Sequence, residues 1–92
     1  MSEYMEIETE LSDDETIMNF YTNLKLADGE PEYYESLAAM EEGSPVAQAL
    51  AVIEGIVTLN IEGSDMAITK EEDYDWHIIV ADVSAALKDF FL

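Results

Sequence analysis

The sequence predicts an α+β fold: a two-layer, mainly antiparallel sheet with two helices on one face, in the order ββ(β)αββα. Three observations predict it. Between Ser44 and Lys70 the apolar period changes from 3.6 to 2, so a helix gives way to a hairpin. From Trp76 to Phe90 apolar residues hold helical spacing. From Met5 to Leu11 they alternate with glutamates, as in a strand with one wet face.

In chain order, Met1 to Tyr4 is a loose end, and Met5, Ile7, Thr9 and Leu11 form the buried side of a first strand opposite Glu6, Glu8 and Glu10. Ser12 to Glu15 is a turn of acids and a serine. Thr16 to Lys25 is rich in β-branched and aromatic residues and reads as a second strand, without clean alternation. Ala27 to Glu30 turns around Asp28-Gly29. Residues 32–42 are ambiguous, because local propensity favours a helix begun near Pro31 with Tyr33, Leu37 and Met40 on one side.

Ser44 can cap the helix that follows, because its hydroxyl can accept from a free first-turn amide. Pro45 sits where its missing N–H costs nothing. Val46, Ala49, Leu50 and Ile53 share one face, and Gly55 stops a helix of residues 44–54. Val57, Leu59 and Ile61 then alternate with polar residues, Gly63-Ser64 turns the chain, and Met66 and Ile68 alternate on the return. Glu71 to Asp75 is an acidic connector in which Asp73 or Asp75 caps the last helix. Its stripe is Trp76, Ile79, Val80, Val83, Leu87 and Phe90, and Lys88 suits its negative end. Trp76 is the expected core anchor. A single domain over residues 1–92 is expected, with the chain stopping at Leu92 after its helix.

Composition narrows the function. At 49% hydrophobic the chain can fill a two-layer core, and no stretch approaches the roughly 20 apolar residues of a membrane span. The acidic start is neither a secretory signal nor an Arg-rich transit peptide, so a cytoplasmic protein is expected. With no cysteine there is no disulfide, thiolate nucleophile or thiolate-held cluster. Twenty-two acids against three lysines give a net charge of −19, which repels nucleic acid and anionic membranes. That charge fits an acid-surfaced or halophilic protein, a docking surface for a basic partner, or an anion mimic that fills a basic groove.

Candidate chemistry is sparse. His77 could pair with Asp73 or Asp75 as a base or metal site, yet one imidazole with two flexible carboxylates is not a zinc ligand set. The acid runs 12–15 and 71–75 lack the calcium-loop pattern and read as solvated faces, open at most to weak divalent binding. Tyr33, Tyr34 and Tyr74 are candidate interface aromatics. No phosphate loop or Ser/His/Asp arrangement exists. No enzyme is expected, and no catalytic, cofactor-binding or metal-ligating residue is assigned.

A family resemblance supplies more. Ser44-Pro45, Glu54-Gly55, Thr69-Lys70, Asp75-Trp76 and Asp89-Phe90-Phe91 stand at spacings that resemble the N-terminal domain of NifU-like (Nfu) iron–sulfur cluster scaffold proteins. The resemblance covers roughly residues 44–91, and 5–22 loosely. It implies a short edge strand near Tyr33–Leu37, with an irregular or helical turn after it. It implies an accessory, protein-interaction module whose partners are assembly scaffolds or clients and which holds no cluster itself. The family carries its cluster on a Cys-x-x-Cys in a separate C-terminal domain, and no such motif occurs in these 92 residues. Departures are the acidic 12–15 turn, Asp65 at a family aromatic, and Val80-Ala81 in place of Lys-Pro. The alternative function is an acidic anion mimic or inhibitor of a basic partner. A weak iron or divalent-metal carrier, or an acid-surfaced domain with no such role, stands behind both.

Overall fold

A computed structural model describes residues 5–92, so the expected loose end at 1–4 lies outside the described residues. Five strands and three helices follow in the order β1 (Ile7–Leu11), β2 (Ile17–Thr22), β3 (Glu32–Tyr34), α1 (Leu37–Glu41), α2 (Pro45–Leu50), β4 (Ile56–Glu62), β5 (Asp65–Lys70) and α3 (Trp76–Phe91). The strands form one antiparallel sheet in the spatial order β1-β2-β5-β4-β3. Chain order and sheet order differ because the tight β4–β5 hairpin inserts β5 beside β2, in register Met18↔Ile68 and Phe20↔Met66. The predicted class holds, with one short helix, α1, added to the expected two. The ambiguous segment resolves as the strand β3 followed by α1, whose Ser36 hydroxyl accepts from the Ala39 amide at 3.1 Å.

The core lies between the sheet and its helices. Phe20, Leu59, Ile61 and Ile68 from the strands meet Met40, Leu50, Ile79, Val83 and Leu87 from the helices, and all nine are fully buried. Burying a large apolar side chain contributes about 1.5–3 kcal/mol, so these nine carry much of the driving force. Phe20 is the largest of them. Trp76, the expected anchor, is only half-buried and stands tilted on Phe20 at 6.4 Å between ring centroids. Its indole N–H needs an acceptor, which keeps the ring at the core's edge.

Four further expectations are corrected. First, α2 ends at Leu50 rather than at residue 54. Residues 51–55 turn instead, which leaves Val52 80% exposed and buries Ala47 where Ala49 was expected. Ser44 and Pro45 act as predicted, the serine accepting from the Ala47 amide at 3.3 Å. Gly55 carries the expected positive φ, +95°, though five residues past the helix. Second, a β-bulge at Val57 lets Ile56 take the inward place opposite Lys70. Third, Phe91 rather than Phe90 packs on the core. Fourth, β2 stops at Thr22, and the following loop buries Leu26 and Ala27, whose amides both donate to the Gly63 carbonyl at 3.0 Å.

The first strand departs most. Met5 and Ile7 pack half-buried on the core as expected; Thr9 and Leu11 pair with Phe20 and Met18, so they share the helix-side face, yet both are exposed. The helices explain this. Layered from the β3 side, α1 contacts β3 and β4, α2 packs on α1, and α3 packs on α2. The helical layer thus ends at α3, one strand short of the sheet's edge.

Candidate functional site

The two acidic segments, 12–15 and 71–75, are far apart in sequence and meet in the fold. Because β2 and β5 are antiparallel neighbours, the start of β2 lies beside the end of β5, with Ile17 opposite Thr69. The Lys70 amide donates to the Thr16 carbonyl at 2.8 Å and the Glu71 amide to the Gly55 carbonyl at 2.8 Å. The loop leaving β1 and the connector entering α3 therefore flank one open concavity of about 630 Å³. Asp13, Asp14 and Glu15 line it from one side, and Glu72 and Asp75 from the other. Leu11, Thr16, Lys70, Tyr74 and Trp76 complete its wall.

Trp76 ties the two sides together. Its indole N–H donates to the Glu15 carbonyl at 2.7 Å, across sixty-one positions of sequence. Lys70 sits 6.0 Å from the Trp76 ring centroid, and its ammonium donates to the carbonyls of Glu71 (3.2 Å) and Glu72 (3.5 Å). Its one positive charge stands against five carboxylates, so the site stays strongly acidic. On the loop, the Ser12 hydroxyl donates to the carbonyls of Asp14 (2.6 Å) and Ile17 (2.9 Å). The Asp14 carboxylate accepts from the Thr16 hydroxyl at 2.6 Å and the Thr16 amide at 3.0 Å. These bonds favour its charged form and hold its pKa below the ordinary 3.8. On the connector, the Asp75 carboxylate caps α3 by accepting from the His77 amide at 2.9 Å.

The other residues singled out from the sequence are dispersed. His77 is exposed on the first turn of α3, and the adjacent Asp75 is occupied by capping. Among the described residues no three His, Cys, Asp or Glu side chains gather as a metal-ligand set. With no cysteine present, the chain has no thiolates to fit an iron–sulfur cluster. Tyr33 is 62% exposed on the sheet face away from the helices. The Tyr34 hydroxyl instead joins β3 to α2, accepting from the Ser44 amide at 3.1 Å and donating to Glu32. Asp65 opens β5 opposite Glu62 and beside Tyr21, whose hydroxyl donates to Glu10 at 3.0 Å. That bond to a carboxylate raises the Tyr21 pKa above its ordinary 10. Tyr74 lies against Gly55, within the concavity's wall. Sequence reading missed the roles of Trp76 and Lys70. A signal existed, since acids at both outer ends of two neighbouring strands must converge once their pairing is known.

Among the described residues no helix is long and apolar enough to cross a membrane. Comparison with known proteins gives a consistent match. The family model described as scaffold protein Nfu/NifU N terminal matches residues 7–92. NifU-like protein 5, mitochondrial, of Arabidopsis thaliana is 32% identical over 63 residues, which is 68% of this chain and 22% of that protein. NifU-like protein 4, mitochondrial, of the same plant is 33% identical over 49 residues, 53% of this chain and 17% of that protein. The chain therefore spans about a fifth of the curated relatives it matches. The solved NifU-like protein from Saccharomyces cerevisiae superposes with a TM-score of 0.75 at 18% identity, over 92% of this chain and 76% of that one. Protein SAV1430 from Staphylococcus aureus gives a TM-score of 0.72 at 13% identity, over 88% of this chain and 96% of that one. At such identities these two establish the shared fold.

Proposed function

We propose a function from one premise: the chain belongs to the family of scaffold protein Nfu/NifU N-terminal domains. On that premise it is a non-catalytic, protein-binding module of iron–sulfur cluster assembly. It helps a scaffold meet its donors or clients, and the cluster itself is cargo held on thiolates outside these 92 residues. The family match over residues 7–92 carries this reading. Two features support it. No cysteine is available to hold or attack anything. The concavity between the two acidic segments gathers carboxylates around an engaged lysine and a half-buried tryptophan, with no base beside a nucleophile among its lining residues. Such a surface attracts cationic groups, and at a net charge of −19 it speeds encounter with a basic partner at low salt.

The test is capture from a native lysate at about 0.01 M and about 0.15 M salt, where charge acts over roughly 30 Å and 8 Å. Recovery of scaffolds, cysteine desulfurases or cluster-bearing enzymes, enriched at the lower salt, is expected. Recovery only of polymerases, nucleases or nucleoid proteins would replace this reading with that of an anion mimic.

A further inference from the structure

The uncovered side of β1 and the acidic concavity form one feature. Beyond α3, a groove of about 280 Å³ runs between that helix and the edge strand. Thr9 and Met18 floor it, and Trp76, His77 and Val80 wall it. Trp76 also lines the acidic concavity, as does Leu11, two residues along from Thr9 on the same strand face. The result is a trough over the Thr9–Leu11 end of β1, in which Leu11, Met18, Trp76 and Val80 give an apolar lining beside Thr9 and His77, and which is acidic at one mouth.

We propose that this trough seats one amphipathic helix of a partner protein, apolar along one face and lysine- or arginine-rich at the end that reaches the mouth. The proposal rests on the protein-binding reading above and names the chemistry of the partner.

Three arguments support that occupant. A sheet buries its apolar face under a helical layer, and here the layer stops one strand short, with Leu11 48% exposed. A helix beside α3 at the usual 8–10 Å spacing would complete it. An extended peptide added to the outer edge of β1 would leave Leu11 and the groove open. Charge complementarity then fixes the polarity of the guest. Asp13, Asp14, Glu15, Glu72 and Asp75 face the mouth, and the one lysine there is bonded to backbone carbonyls. A second copy of this chain would bring another −19 to the same place, so self-association is disfavoured. Length is bounded as well. The five residues of β1 span about 16 Å, which about 11 helical residues would cover.

The probe is a synthetic peptide of about 11 residues, with leucines at helical spacing and lysines at one end. Two controls are a scrambled peptide of the same composition and an all-lysine peptide. Trp76 is the chain's only tryptophan and stands where groove and mouth join, so its fluorescence reports occupancy directly. A saturable change with the amphipathic peptide is expected, weakened about tenfold or more by Leu11→Glu, which leaves the circular dichroism unchanged. Replacing Asp13, Asp14 and Glu15 together by their amides should lower the salt dependence of binding.

The proposal is overturned if the amphipathic peptide leaves Trp76 unperturbed. It is equally overturned if the scrambled or all-lysine peptide binds as well, if Leu11→Glu binds as tightly as the parent chain, or if sedimentation shows paired chains instead. The lysate capture keeps the two readings apart. Iron–sulfur proteins recovered equally by the parent and Leu11→Glu would sink the trough and spare the function. Unrelated proteins lost only from Leu11→Glu would do the reverse.

Discussion

Gly55→Ala tests whether the acidic connector is seated as described. Gly55 has φ +95°, a region that side-chain-bearing residues rarely adopt. A methyl group there would also stand 2.6 Å from Cγ and 2.7 Å from Cδ2 of Tyr74. Those atoms are near the root of the tyrosine, so a swing of the phenol cannot relieve the clash. The backbone conformation costs about 1–3 kcal/mol and the overpacking about 1–3 kcal/mol, so roughly 2–6 kcal/mol is expected in total. A domain of 92 residues has about 5–14 kcal/mol of stability to lose. Urea unfolding followed through Trp76 measures the loss. With m near 1–3 kcal/mol/M, the midpoint should fall by about 1 M or more. The same substitution in a Tyr74→Ala background removes the two closest contacts, leaves the one to Cβ at 3.0 Å, and should cost little beyond the backbone part, about 1–3 kcal/mol. A cost below about 1 kcal/mol in the parent chain, or an equal cost in both backgrounds, would refute this seating.

Three more outcomes follow from the same structure. Phe20→Ala empties the largest fully buried side chain and should cost about 3–5 kcal/mol by urea unfolding, more than any substitution at the half-buried Trp76. Asp14 has its pKa depressed in the fold, so its stabilisation is present above the ordinary value and is lost as pH falls through the folded one. Thr16→Val should therefore lower the urea midpoint at neutral pH, with the gap to the parent closing as pH falls below the ordinary 3.8. Self-repulsion at −19 should make the melting temperature rise as salt is raised from about 0.01 M to about 1 M, and a flat or falling trend in calorimetry would contradict it.

Sequence periodicity made the helix–hairpin unit and α3 legible because local chemistry sets them. Ser44, Pro45, Gly63 and Asp75 act through neighbours within a few residues, and the structure finds them in their expected roles as caps or turn. Where tertiary context decides, the reading slipped. Nothing local separates Ala47 from Ala49, and the choice depends on which side α2 turns to the sheet. The alternation of β1 was correct in direction, since Thr9 and Leu11 do share the helix-side face. Burial holds in part for Met5 and Ile7, which pack half-buried on the core, and fails for Thr9 and Leu11, which lie beyond the cover of α3. The candidate site was the least legible. Its parts meet only through the β2–β5 pairing, a contact between segments about fifty residues apart. The large apolar size of Trp76 suggested a core anchor. Its single polar atom, bonded to Glu15, sets its actual place at the rim.

Docking of a partner at the trough and its acidic mouth would leave a residue-level signature. The most direct measurement is an amide chemical-shift map of the chain titrated with an iron–sulfur assembly protein or client recovered by capture. The largest shifts are expected at Thr9 to Thr16 and at Glu72 to Val80, diminishing as salt is raised. Shifts confined to α2, or to the opposite sheet face around Tyr21 and Tyr33, would contradict it.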